Sequence, residues 1–239
     1  VINRKTALQP VLLPVALLFL VIFQAALGMW TVTLQLKPLV VMAHLLGGFA
    51  TLSLLWWLLL TTRKTEFQYF VGSVKLLPWA VLGVLLLVMQ IALGGWTSSN
   101  YAALACPDFP TCQGQWWPQT DFKEAFVLWR GLGVNYEFGV LDHPARTAIH
   151  MTHRLGAILV GSYLLLLGYF AVRHTDGRSK KAALIMLALL LIQISLGISN
   201  IIFHLPLAVA VLHNGVAVLL LLSVLNLIYQ LRLIRSVHR

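Results

Sequence analysis

Six stretches of the chain, at roughly residues 10–31, 39–62, 76–98, 147–172, 182–203 and 207–230, are almost free of charge. Each is long enough to cross a bilayer as a helix, which takes about 20 mainly apolar residues. Lipid offers the backbone no hydrogen-bond partner, so such runs must be helices or close into a barrel. Their Leu, Val, Ala and Ile content lacks the strict alternation of barrel strands. The expected fold class is all-α, a polytopic transmembrane helical bundle of six spans. Composition agrees: 59% of the 239 residues are hydrophobic and 10% charged, far from an ordinary soluble domain.

The net charge of +10 raises the question of a nucleic-acid partner, and the positions of the charges answer it. Arg4, Lys5, Arg63, Lys64, Lys75, Arg173, Arg178, Lys180, Lys181, Arg232, Arg235 and Arg239 fall on the N-terminus, the second and fourth connections and the C-terminal tail. The other side carries Lys37, Lys123, Arg130 and Arg146, diluted by Asp108, Asp121, Glu124, Glu137 and Asp142. By the positive-inside rule both ends are cytoplasmic and residues 99–146 face outward. The basic excess is a topology signal, and no nucleic acid is implied. The expected location is a cell inner membrane, crossed several times, with a mitochondrial inner membrane left open. Residue 1 is Val rather than Met, and Ile2 to Thr6 read like a connection between helices, so the chain is expected to be a piece of a longer protein. The first span is too long, and followed by too many others, for a cleaved signal peptide.

One motif recurs. Gln24-Ala-Ala-Leu27-Gly28, Gln90-Ile-Ala-Leu93-Gly94 and Gln193-Ile-Ser-Leu196-Gly197 share Q-x-x-L-G near the outward end of a span. His44 follows Gln24 by 20 residues, and His213 follows Gln193 by the same 20. A matched histidine at matched spacing across matched turns indicates duplicated helical hairpins, as in many membrane proteins.

His44, His153 and His213 each lie about six residues inside their span, some 9 Å below the outward edge at about 1.5 Å of rise per residue. One ionisable residue in a span can be a plain interhelical hydrogen bonder, but three at one depth indicate a site. Imidazole binds iron, copper or zinc. Small residues one turn on, Gly47 and Gly48, Gly156 and Ala157, and Ala217, would leave flat space for a porphyrin, or merely let helices approach. Zinc would want more ligands than spans poor in carboxylates provide, whereas two histidines on different helices suit axial ligation of heme. His150 competes with His153; the deeper His153 is preferred. Arg154 beside it would either neutralise a heme propionate or snorkel to the interface. His143, His174, His204 and His238 fall in loops or at ends and are expected to be solvated.

Cys106 and Cys112 are the only cysteines, on the outward and oxidising side, where a disulfide is expected and a cycling thiol pair is the alternative. The nearby Phe109, Trp116, Trp117, Phe122, Phe126 and Trp129 are expected in amphipathic segments at the interface or capping the bundle.

The Q-x-x-L-G repeats, the Gly94-Gly95-Trp96-Thr97-Ser98 step, the segment from Ala105-Cys106 to Cys112-Gln113-Gly114, His153-Arg154 and His213 together resemble the heme A synthases of cytochrome oxidase assembly. The resemblance covers essentially the whole chain, and its specific parts are the cysteine loop and the His-Arg step. It implies eight transmembrane helices in two four-helix halves, of which this chain matches the third to the eighth. Residues 1–75 would be a hairpin of the N-terminal half, and residues 76–239 the complete C-terminal bundle that binds heme. His153 and His213 fall on the family's b-type heme ligands. His44 falls on one member of the histidine pair at the substrate heme and takes the catalytic position.

The implied reaction oxidises the C8 methyl of heme O to the formyl group of heme A, with a membrane electron carrier, heme O synthase and membrane lipid as implied partners and a homo-oligomer left open. The family's first two helices carry a further histidine and a glutamate, so this piece alone is expected not to oxidise heme O. A bis-histidine b-type cytochrome for quinone-linked electron transfer is the alternative reading. A proton-relaying transporter is disfavoured because the spans hold few carboxylates.

Overall fold

Backbone amides with no partner but one another make each apolar run a helix in the computed structural model, which describes residues 11–62 and 74–237. The elements are α1 (Leu12–Thr33), α2 (Pro38–Thr62), α3 (Leu77–Ser99, entered through a 3₁₀ turn at Val74–Leu76), the short α4 (Phe122–Ala125), α5 (His143–His174), α6 (Gly177–Ile202) and α7 (Leu207–Val237). Six of these are long and apolar enough to cross a membrane, so the chain is a multi-pass membrane protein of the all-α class.

The helices overrun the hydropathy at one or both ends. α5 starts at His143, with Pro144 in its first turn, where the fixed φ of proline is already helical. This added turn holds the buried Ala145 and leads straight into the buried Thr147 and His150. α6 starts at Gly177 and carries Arg178, Lys180 and Lys181 in its opening turns.

α3 packs on α5, α5 on α6, α6 on α7, and α7 back on α3. These four helices form a closed ring in which α5 and α7 face each other across a diagonal. α2 lies against α3 and α7, and α1 against α2. The core between them is filled by Leu87, Leu164, Met186, Leu220, Val224 and Leu227. Lipid tails are as apolar as leucine, so the bundle is held by close packing rather than by water exclusion. Gly168 illustrates the fit: a Cβ there would lie 2.4 Å from the Leu187 side chain.

The duplication is written into the helix ends. Leu36 N–H donates to Thr31 O and Gln35 N–H to Val32 O; Ala102 to Thr97 and Tyr101 to Ser98 repeat the pattern, as do Leu205 to Asn200 and His204 to Ile201. Each is a Schellman closure that satisfies two orphan carbonyls at a helix end. The first left-handed residue in each, Gln35 (φ 51°), Tyr101 (φ 54°) or His204 (φ 56°), stands eleven places after Gln24, Gln90 or Gln193.

The segment between α3 and α5 lies over the end of the bundle at which α1, α3 and α6 terminate. Trp96 Nε1 donates to Ala125 O at 2.9 Å, and Tyr136 N–H donates to Gln35 O at 3.1 Å. Lys37, buried at the α1–α2 turn, donates to Gly131 O at 2.5 Å and lies over the Trp129 ring; burial lowers its pKa from the ordinary lysine value. The expected amphipathic segments reduce to the four-residue α4, while Trp116 and Trp117 stay largely exposed.

Candidate functional site

Each glutamine of the repeated motif meets a histidine on the next long helix. Gln24 Nε2 donates to His44 O at 2.9 Å. Gln90 Nε2 donates to His153 O at 2.9 Å and lies 3.1 Å from His153 Nδ1. Gln193 Nε2 lies 3.3 Å from His213 Nε2. The histidines therefore share a level because their glutamines do, even though α5 extends one turn further outward than α2 or α7. The His153 pairing was hidden in the sequence by a separation of 63 residues, against 20 for the other two.

The glycines explain the rest of the motif. A Cβ on Gly28, Gly94 or Gly197 would lie 3.3, 3.2 or 3.2 Å from Cε1 of His44, His153 or His213, so the motif's glycine is the seat on which the ring rests. Gly47 and Gly156, three residues after their histidines, have a different use from the open space expected of them. A Cβ at either would lie 2.3 Å from the glutamine Oε1, so the amide fills the gap each glycine leaves. The third copy has Val216 at this position, and there the glutamine meets the ring instead of the main-chain carbonyl.

Polar atoms at this level are not all paired. Among the described residues nine buried side-chain nitrogens and oxygens lack a hydrogen bond, and five belong to the three pairs: Oε1 of Gln24, Gln90 and Gln193, and Nδ1 of His44 and His213. Native interiors hold few such atoms, and a concentration of them marks a place where another group is received. His153 and His213 stand on the diagonal helices α5 and α7. Among the described residues no three His, Cys, Asp or Glu side chains converge as a bare metal ion would require. Two histidines on diagonal helices of a bundle would suit a metal that brings its remaining ligands in a macrocycle.

The cysteine loop packs beside the site, against α5. Cys106 and Cys112 form a disulfide, buried with Met151 of α5. Arg154 donates from Nη1 to Thr111 O at 2.8 Å, and from Nη2 to Cys106 O at 2.9 Å and Asp108 O at 2.8 Å. Its Nε faces His150 Nε2 at 3.3 Å, while His150 Nδ1 accepts from Cys106 N–H at 3.2 Å. His150 is thus held between the loop and Arg154, whereas the His153 ring is met by Gln90 of α3. Three of the five guanidinium N–H groups of Arg154 are spent on loop carbonyls; a neutral imidazole accepts at one ring nitrogen only, so with Nδ1 accepting from Cys106 the Nε–H is not spent on His150. Within the loop, Asp108 accepts from the Thr111 hydroxyl and from the amides of Gly114 and Gln113, which hold its carboxyl below the usual carboxylate range.

The remaining histidines lie apart. His143, His174 and His204 are exposed, although His143 Nε2 lies 2.8 Å from Gln113 Nε2; His238 falls outside the described residues.

Comparison with known proteins agrees with this architecture. Residues 1–225 match the family model described as "Cytochrome oxidase assembly protein". A heme A synthase of Shewanella oneidensis is 49% identical over 226 residues, covering 94% of this chain and 68% of that protein. The heme A synthases of Granulibacter bethesdensis and Paracoccus denitrificans are 26% and 27% identical, covering 88% and 85% of this chain but 52% and 53% of their own lengths. The chain thus spans about two thirds of the first relative and about half of the others. With a family match over nearly its whole length and a relative at 49% identity, the chain belongs to the heme A synthase family of cytochrome oxidase assembly proteins.

Proposed function

We propose that this chain serves the oxidation of heme O to heme A, with His153 and His213 as axial ligands of a resident heme b and His44 at the neighbouring substrate heme. The observation that carries the reading is the set of three Gln–His pairs at one level with their unmet polar atoms, two of them on diagonal helices of a closed bundle. When bound, heme b supplies one-electron transfer between the substrate site and a carrier in the membrane. The glycine seats hold the imidazoles in orientation. The disulfide loop covers the outward face and restricts water. Arg154 anchors that loop, and its charge would meet a heme propionate.

In this reading residues 1–75 contribute the substrate-side hairpin and residues 76–239 the heme b bundle. Both ends of the chain lie in the cytoplasm, as the basic connections favour. Heme O synthase upstream and a membrane electron carrier are the corresponding partners.

The test is to purify the chain from cells that make heme O and to extract and chromatograph its hemes. Heme b is expected together with heme O or heme A. His44→Ala should remove heme O and heme A and spare heme b. Loss of heme b in that variant, with heme O retained, would reverse the assignment.

A further inference from the structure

Arg146 is a cation that the protein leaves unanswered. Its Nε is buried and makes no hydrogen bond, one of nine such atoms among the described residues. No carboxylate pairs with its guanidinium there: Asp142, four residues before it, makes no ion pair with it, and the ion pair in this part of the molecule joins Arg130 to Glu124. An arginine that merely snorkels keeps its whole head group in water, whereas this Nε is shut off from solvent.

The helix below it gives the charge a use. Arg146 precedes His153 by seven residues, two turns of α5, which puts both on one face with about 10 Å of rise between them at about 1.5 Å per residue. The same register in the other two copies is filled differently. At the head of α2 it is Lys37, seven residues before His44, whose ammonium is already engaged by Gly131 O and the Trp129 ring. At the head of α7 it is Pro206, seven residues before His213, which carries no charge. Arg154 lies one residue past His153, about 100° further round α5, and gives three of its N–H groups to loop carbonyls. Arg146 is therefore the cation on the His153 face of α5 whose donors are unspent. A guanidinium can bind two anionic oxygens at once, and a partly buried charge is stable in company with its anion.

We propose that Arg146 binds a propionate carboxylate of the heme held by His153 and His213, with Arg154 adding only its charge. The pairing fixes which way up the heme sits, its carboxylates toward the end of the bundle where α5 begins. This inference rests on the heme b reading above.

The experiment prepares the parent, Arg146→Ala and Arg146→Lys from heme-starved cells and loads each with protoheme or with protoheme dimethyl ester, whose esterified carboxylates carry no charge. Transfer of either heme to excess apomyoglobin is then followed by visible absorption. Protoheme should leave Arg146→Ala about ten- to a hundredfold faster than the parent, the worth of a charge-assisted hydrogen bond, and Arg146→Lys at an intermediate rate. The ester should leave the parent and Arg146→Ala at equal rates. Arg146→Ala that holds protoheme as the parent does, or that loses both hemes faster by the same factor, overturns the proposal, the second result giving Arg146 a structural role alone. If Arg146→Ala does not fold, the parent still decides: it should lose the ester faster than protoheme, and equal rates overturn the proposal. A parent that takes up protoheme without b-type bands would instead overturn the heme reading itself.

Discussion

The membrane-embedded histidine pairs and the outward cysteine loop lie one helical turn apart and treat their polar atoms in opposite ways. Around Gln24, Gln90 and Gln193 five buried atoms are unpaired. Between residues 105 and 114 no buried side-chain atom is, among the described residues: Asp108 and Thr111 have partners, and Arg154 meets the carbonyls of Cys106, Asp108 and Thr111. An unpaired buried polar group costs about 1–3 kcal/mol, so the first arrangement is stable only in company and the second is complete by itself. The loop is a finished lid, and the pairs are a receptacle.

The sharpest way to break this contrast is to fill a seat. Gly94→Leu or Gly197→Leu drives a side chain into the imidazole it supports, and overpacking of this kind costs about 1–3 kcal/mol. At about 1.4 kcal/mol per tenfold, b-type heme retained on purification should fall roughly ten- to a hundredfold. Gly28→Leu should leave that heme in place and disturb the His44 site alone, as absorption spectra of the three variants would show.

Next comes the lid. Arg154→Ala uncaps the carbonyls of Cys106, Asp108 and Thr111, and hydrogen bonds from a charged donor contribute about 1.5–3 kcal/mol each. Reduction of the disulfide by a membrane-impermeant phosphine should become at least about tenfold faster. An unchanged rate would mean that the loop is held by packing around Met151 instead.

Removing the bridge should do less. The short loop closed by Cys106 and Cys112 gives a crosslink about 2 kcal/mol in chain entropy. The double Cys→Ser variant should therefore lose hydrogen-exchange protection over residues 105–114 while keeping its heme spectrum, since Arg154 and His150 still hold the segment to α5.

The smallest effect is in acid. The folded pKa of Asp108 is lowered, so its contribution to loop docking is complete above the unfolded value of about 4 and is lost as pH falls through the lowered folded value. Exchange protection of the loop should accordingly be flat from neutral pH down to about pH 4 and fade below it. Asp108→Asn should abolish that acid dependence.

Much of this was legible in the residues. Length and hydropathy suffice for six helices because a bilayer leaves the backbone no other choice, and a matched Gln-to-His spacing exposes two of the three pairs. The Gln90–His153 pair was not legible, because the outward loop is inserted between motif and histidine and separation in sequence hides contact in space. Gly47 and Gly156 read as room for a ligand when they are room for an amide, a difference that depends on which side chain crosses from the neighbouring helix. Arg154 pointed toward a propionate by its charge, while the carbonyls that occupy most of its donors belong to main chain, which carries no sequence signal. The start of α5 was placed too deep because hydropathy does not register a polar first turn, His143 to Arg146, that continues the helix beyond the apolar run.

The central claim is that His153 and His213 ligate one heme across the α5–α7 diagonal. The most direct measurement is the reduced-minus-oxidised visible spectrum of the purified chain beside its His153→Ala, His213→Ala and His44→Ala variants. The account predicts sharp low-spin b-type bands that vanish in the first two variants and persist in the third. Bands that survive loss of either His153 or His213 would contradict it.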